Sequence, residues 1–500
     1  QTRRLPQVSG FIKTSGSITT DGLKKNKGSV KVNTEEVRFE NLKFGNAKAV
    51  AQVQDSHVLV DSVLVEHPSG RAELKQISIQ HGKPFSFKTN VIVENFQLQK
   101  LFGSLNLANI PADFQADAKA DCSGQIENFK LHCESISINA ENIDVKADIK
   151  DSFHIVQVDK AKATGEIDMN SKEIKYTSEL QIGSSVAHST GTVDFQNGFD
   201  LEFKSKAFKF DEINNIAGLG LKGIASGDLK TQGTSSFGTI DSNLNIQNLI
   251  IDHFSLGQVQ TQLKYKEGQL SFLNNTAQLN KTQYQGSVIL DFIKSSINGE
   301  FQMKTLFIED ILTAIENRWH LPLKGLGKGF GEIQFSGPLD FWRMKYTLKS
   351  EFNRGHIMDE SFTKLDFNLN SDGEKIDFKN VTLHKTNGTI QISNDIVTMP
   401  ANQTPNFDLQ IRSRNLKFED IDHFSKFFPN TNGTLILNGV ITSNILSPQI
   451  DMQTQIKDLK IETLSLPTSQ GQVKLNLDRF QFVGQIFGRQ LQLDLNVPFS

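Results

Sequence analysis

One phrase recurs along this chain about every hundred residues, and it limits the fold more than any single residue does. It consists of a small residue, alternating apolar positions and a glycine six places on. The copies are Gly10, Ile12, Thr14, Gly16; Ala118, Ala120, Cys122, Gly124; Gly227, Leu229, Thr231, Gly233; Gly331, Ile333, Phe335, Gly337; and Gly433, Leu435, Leu437, Gly439. Their closing glycines stand 108, 109, 104 and 102 residues apart. A long fixed period marks an array in which each unit buries its apolar face against its neighbours. One elongated object is expected, rather than several independent globules.

Strand signals dominate. Residues 364–370, 472–477 and 490–497 alternate apolar and polar with period two, as half-buried antiparallel strands do. Turn dipeptides such as Asn387–Gly388, Asn432–Gly433, Asp372–Gly373 and Glu267–Gly268 punctuate the chain. A second phrase spaces Ile246, Leu249, Ile251, Phe254 and Leu256, and returns as Ile456, Leu459, Ile461, Leu464 and Leu466. An early copy keeps Val37, Phe39, Leu42 and Phe44. Its three-residue steps fall mostly on Asn or Asp: Asn41, Asn248, Asp252 and Asp458. A one-residue slip turns every later side chain to the wrong face unless a bulge or bend absorbs it. Bulges or bends are therefore expected at these residues, curling the sheet into a trough.

The third element is a short amphipathic helix. Its entries read Phe96-x-Leu98-x-x-Leu101, Phe208-x-Phe210-x-x-Ile213, Leu306-x-Ile308-x-x-Ile311 and Leu416-x-Phe418-x-x-Ile421. Acidic pairs Asp211–Glu212, Glu309–Asp310 and Glu419–Asp420 open three copies, where carboxylates favour the positive end of a helix dipole. After Ile311, Leu312 and Ile315 continue at helical spacing and Trp319 follows. Glycine-rich stretches at 218–223 and 325–331 read as helix stops. The expected organisation is a truncated leading unit over residues 1–90, then units over 91–200, 201–298, 299–406 and 407–500, the last also truncated.

Composition narrows the function. A net charge of −3 and no Lys/Arg stripe argue against nucleic acid as a partner. Apolar content of 37% suits strands that keep one face wet. There are 37 Phe against four Tyr and two Trp, and Phe carries no polar atom to satisfy. Such a bias fits either ordinary Phe-rich cores or a continuous dry surface. Cys122 and Cys133 flank a hairpin turn, but their uneven offset from a centre near 124–128 favours two inert, half-buried thiols over a disulfide. No signal peptide or apolar run of transmembrane length is present, and the pattern runs to both ends, as in a segment of something longer.

Enzymatic chemistry is not expected. Gly218-Leu-Gly220-Leu-Lys-Gly223 matches GxGxxG, but a dinucleotide fingerprint must follow a buried parallel strand and open a helix. The stretch 325–331 lacks the closing Gly-Lys-Ser/Thr of a P-loop. Eleven histidines form no HxH or HExxH constellation, so no metal or cofactor is expected.

The unit resembles that of the AsmA-like superfamily of bacterial envelope proteins, and TamB-like members most. The resemblance rests on the repeated glycine phrase, on Asn248-Leu-Ile-Ile-Asp-His-Phe-Ser-Leu256, and on openings such as Phe335-Ser-Gly-Pro-Leu339 and Leu446-Ser-Pro-Gln-Ile450. It covers nearly the whole chain. It implies an elongated, twisted, U-shaped antiparallel β-sheet groove in the periplasm of a Gram-negative cell envelope, carrying phospholipid between inner and outer membranes. It also implies an inner-membrane anchor outside these residues and an outer-membrane barrel partner of the TamA/BamA type, with a role in outer-membrane protein assembly as the alternative.

The expected lining comprises Val37, Phe39, Leu42, Phe44, Ile246, Leu249, Ile251, Phe254, Leu256, Ile333, Phe335, Leu435, Leu437, Ile456, Leu459, Ile461, Leu464 and Leu466. Sequence does not sort which of these face inward. Three rivals remain. A membrane barrel would need girdles of Tyr and Trp, which this composition lacks. A β-helix adhesin would repeat every 20–25 residues. A structural spacer would close its groove with side chains.

Overall fold

A computed structural model describes residues 8–498 apart from 21–25, 40–41, 55–56, 81–85, 105–111, 126–128, 147–153, 195, 217, 235–237, 253, 317–323, 340–342, 394–395, 399–405, 428 and 445. The chain is 82% strand and 6% helical, an antiparallel sheet that does not close on itself. It divides into a first unit, Gln1–Gln247 with Gln262–Gln269, and a second, Asn248–Thr261 with Leu270–Ser500.

In the first unit, six described strands run from Val8–Thr20 to Ser86–Gln97, and the helix Leu98–Ser104 follows. Six more run from Ala112–Gln125 to Gly198–Lys209, followed by a 3-10 turn at Phe210–Glu212. The repeated glycine phrase lies in the strands Val8–Thr20, Ala112–Gln125 and Leu221–Gly233; the last two each follow a helix or turn. The second unit repeats the pattern. Its helix Ile308–Glu316 precedes the strand Gly325–Pro338, and a 3-10 turn at Phe418–Asp420 with the helix Asp422–Phe427 precedes Thr431–Asn444. The expected helix therefore forms at three entries. At Phe208–Ile213 it stops after one turn, because Asn215–Ile216 leave to pair with Gln157 and Val156. Trp319 lies outside the described residues.

The three-residue steps are left-handed residues. Asn248, Asp252 and Asp458 have φ of 52°, 46° and 54°, and Asn41 lies outside the described residues. The same device recurs where neither Asn nor Asp marks it. Gln76 (φ 53°) sits in the register shift between Lys75 and Ser78, and Ser135 (φ 54°) in that between Cys133 and Ile136. Each extra residue returns the next apolar side chain to the face of the previous one, so Leu74 and Ile77 stay together despite their odd spacing.

Two readings of the sequence change. The 325–331 glycines are not a helix stop; they belong to a strand and make a seat for the helix. A Cβ on Gly325 would lie 2.7 Å from Ile308 Cγ2, and one on Gly327 2.9 Å from Ile308 Cδ1. Secondly, Cys122 and Cys133 form a disulfide. They are direct register partners with Cα atoms 4.0 Å apart, in a hairpin closed by the Gln125–Lys130 pair. That pair centres the turn between residues 127 and 128, so the apparent asymmetry disappears.

The acidic pairs do more than complement a dipole. The second acid of each reaches back to a hairpin turn two strands earlier. Glu212 accepts hydrogen bonds from the backbone N–H of Ser184 and Ser185, each at 2.9 Å. Asp310, buried, accepts from the N–H of Lys281 (3.0 Å) and Thr282 (2.7 Å). Asp420 accepts from the N–H and side-chain amide of Asn387 at 3.2 and 3.0 Å. Charge-assisted bonds of this kind are about twice as strong as neutral ones, and they fix each helix or turn over the rim of its own sheet.

Candidate functional site

Residues directly opposite in an antiparallel ladder project from the same face, so the register sorts the two faces. In the second unit one line of partners reads Gly286, Phe301, Ile333, Leu348, Leu369 and Phe378. The line one residue away reads Gln285, Gln302, Glu332, Lys349, Asn368 and Asn380. Nearer the end of the unit, Ile392, Ile411, Gly439, Met452, Val473, Phe482 and Leu495 form the apolar line. Its neighbour holds Gln391, Arg412, Asn438, Gln453, Gln472, Val483 and Asp494. One face is dominated by apolar side chains and the other by polar ones.

The apolar face is concave. In the strand Gly325–Pro338, Glu332, Gln334 and Ser336 are exposed, whereas Ile333, Phe335 and Gly337 between them are half-buried. A flat uncovered sheet would expose both sets alike. Among the described residues every strand belongs to one sheet, and besides ladder neighbours the elements that pack on a strand are the helices and 3-10 turns. The helix Ile308–Glu316 places Ile308 and Leu312 against Phe352, Phe362 and Leu365, covering one end of the inner face.

Away from the helix end, this face carries almost no charge. Burial pushes the Tyr284 and Tyr346 phenols well above their ordinary value, so both stay neutral. A charged side chain at the inner face of the second unit is Glu360, opposite Ile357 at the helix end. Glu360 bonds Lys385 Nζ at 2.8 Å, and accepts from the backbone N–H of Asp422 and of His423, each at 3.0 Å. Burial raises the Glu360 carboxyl, but these donors outweigh it and hold it below its ordinary range. Lys385, itself buried, also pairs with Asp422 at 3.3 Å.

The sequence-predicted lining distributes as follows. Ile333 and Phe335 lie on the inner face, half-buried, as do Leu435 and Leu437. Ile456 pairs with Leu435, and Leu459 with Leu466, on that same face beyond the left-handed Asp458. Ile461 and Leu464 pair with each other across the strand-end turn, 40% and 59% exposed. Ile246 and Leu249, flanking Asn248, are buried, and Ile251, Phe254 and Leu256 are half-buried. The side chains of Val37, Phe39, Leu42 and Phe44 lie outside the described residues.

Sequence reasoning missed two groups. Tyr284, Phe301, Leu348, Phe367 and Phe482 line the second unit, and simple alternation in their strands would have found them. In the first unit the inner line reads Ala47, Val65, Ala72, Val93, Ala118, Ile138, Ala163, Leu180 and Ala187, small and large by turns across nine strands. The disulfide joins this inner face, packed with Ile136 among Val91, Ala120, Leu131, Ile138 and Ile167.

Among the described residues, no cluster of three His, Cys, Asp or Glu could hold a metal ion, and no helix is long and apolar enough to cross a membrane. No family model, curated protein or solved structure matches the chain.

Proposed function

We propose that this chain is a conduit for phospholipid, its acyl chains lying along the apolar inner face and its headgroups riding in water at the open side. The observation that carries the reading is the uncharged apolar line in each unit, on a sheet that does not close and has no second sheet beside it among the described residues. At roughly 25 cal/mol per Å², leaving about 400 Å² of such surface wet costs about 10 kcal/mol. An acyl chain would cover it without directional bonds, so a lipid could slide. A side chain that hydrogen-bonded cargo would hold it instead, and the inner lines offer almost none.

The setting follows from the resemblance to AsmA-like, TamB-like proteins: the periplasm of a Gram-negative envelope, an inner-membrane anchor, an outer-membrane barrel partner of the TamA/BamA type, and transport between the two membranes. The Cys122–Cys133 disulfide fits an oxidising compartment of that kind. The test is gentle purification followed by mass spectrometry of co-purifying lipid. Stoichiometric phospholipid is expected, and Ile333→Asp or Leu437→Asp should abolish it while leaving the β-sheet circular dichroism intact. A lipid-free protein would favour a structural spacer.

A further inference from the structure

Glycines beneath aromatic rings control how much room the inner face of the second unit leaves, an inference that rests on the conduit reading above. Gly299 and Phe335 are register partners. A Cβ built on Gly299 would lie 2.4, 2.8 and 3.0 Å from Cζ, Cε2 and Cε1 of Phe335. The ring therefore reclines on the backbone of the neighbouring strand instead of standing into the trough. Phe301 lies beside it, ring centroids 6.2 Å apart and planes inclined by 21°.

Gly299 differs from most inner glycines. At Gly286 a Cβ would collide with the Glu300 carbonyl oxygen at 1.9 Å, and at Gly329 with that of Glu351 at 2.0 Å, so substitution there would push the strands apart. The three nearest atoms at Gly299 all belong to one rotatable ring. Alanine there would lift the Phe335 ring off the sheet, into the volume an acyl chain needs, and leave the ladder in place. We propose that Phe335, laid flat by the missing side chain at Gly299, is the specificity-determining residue that sets the bore of this groove for acyl chains.

The experiment uses the whole chain incubated with vesicles of phosphatidylglycerol and cardiolipin, which present phosphate headgroups but two and four acyl chains. Bound lipid per protein is read by mass spectrometry. Gly299→Ala should lower bound lipid about fivefold, cardiolipin first, as overpacking of a filled groove would. Phe335→Ala should raise the cardiolipin share, and adding Gly299→Ala to Phe335→Ala should change nothing. Phe335→Trp adds bulk while keeping glycine at 299, and serves if Gly299→Ala fails to fold; it should show the same loss. If the wild type binds phosphatidylglycerol but Gly299→Ala and Phe335→Trp bind both lipids equally well, the bore assignment is overturned and the conduit stands. The same holds if Gly299→Ala acts equally with the ring removed. A wild type that binds neither lipid overturns both.

Discussion

The two units build the same concave apolar face from different parts. The first alternates alanine with Val, Ile or Leu from strand to strand, so each branched side chain settles between two small ones. Its buried residues include Val60, Ile77, Ala116, Ile136, Val158, Ala161 and Ala187. The second sets glycine against aromatic rings, and buries Phe292, Leu306, Phe352, Phe362, Leu365 and Leu416. Large side chains shelter one another, so the second unit forms a sizeable core under its helix. Small ones bury little area each, and the first unit adds a covalent tie. A curved sheet can be held by side-chain mass or by stitching.

That contrast can be broken by mutation. Phe352→Ala, at a site 2% exposed, should cost the second unit about 4 kcal/mol, whereas Val93→Ala should cost the first only about 1.5 kcal/mol. Hydrogen exchange followed through a urea series reads each unit separately. Equal losses would show that the two inner faces are held alike. Next in size is Lys385→Met, which strands Glu360 and Asp422 and should cost the second unit about 3 kcal/mol. Glu360→Gln added to it should restore part of the loss.

Removing the disulfide with Cys122→Ser and Cys133→Ser together should cost about 2 kcal/mol, and only in the first unit. A loss spread into the second unit would contradict the stitching argument. The smallest effect concerns Glu212, whose carboxyl is held down to about 2 by the Ser184 and Ser185 donors. A depressed carboxyl stabilises above its ordinary value of 4.5 and loses that contribution as pH falls from there to about 2. Protection of the Ser184 and Ser185 amides, taken relative to their intrinsic exchange rates at each pH, should therefore fall over that window, and Glu212→Gln should flatten the dependence.

The second unit was the more legible of the two from sequence. Ile333 and Phe335 stand out because bulky apolar residues alternate with Glu, Gln and Ser, and Leu435 and Leu437 because the glycine phrase repeats around them. Alanine is too weakly apolar to mark a face, so Ala47, Ala72 and Ala163 went unnoticed although they alternate just as strictly, and Ala118 shows only as the small residue that opens the glycine phrase. Bulges at Asn248 and Asp458 could be read because Asn and Asp tolerate left-handed backbone. Those at Gln76, Ser135 and Arg354 could not, since nothing in these residue types announces a positive φ. The disulfide was misjudged through the turn: two strands fix the centre of a hairpin, and only one edge of it was visible in the sequence.

The carboxylate latches carry a consequence for length. Glu212, Asp310 and Asp420 fasten onto turns 27, 28 and 33 residues upstream, less than a third of the hundred-residue period. Excising one whole period in phase would leave every surviving latch with its turn. A deletion that is not a whole period would put a surviving carboxylate out of step with the turn before it. A chain wired this way can be lengthened or shortened by whole repeats, like links in a strap.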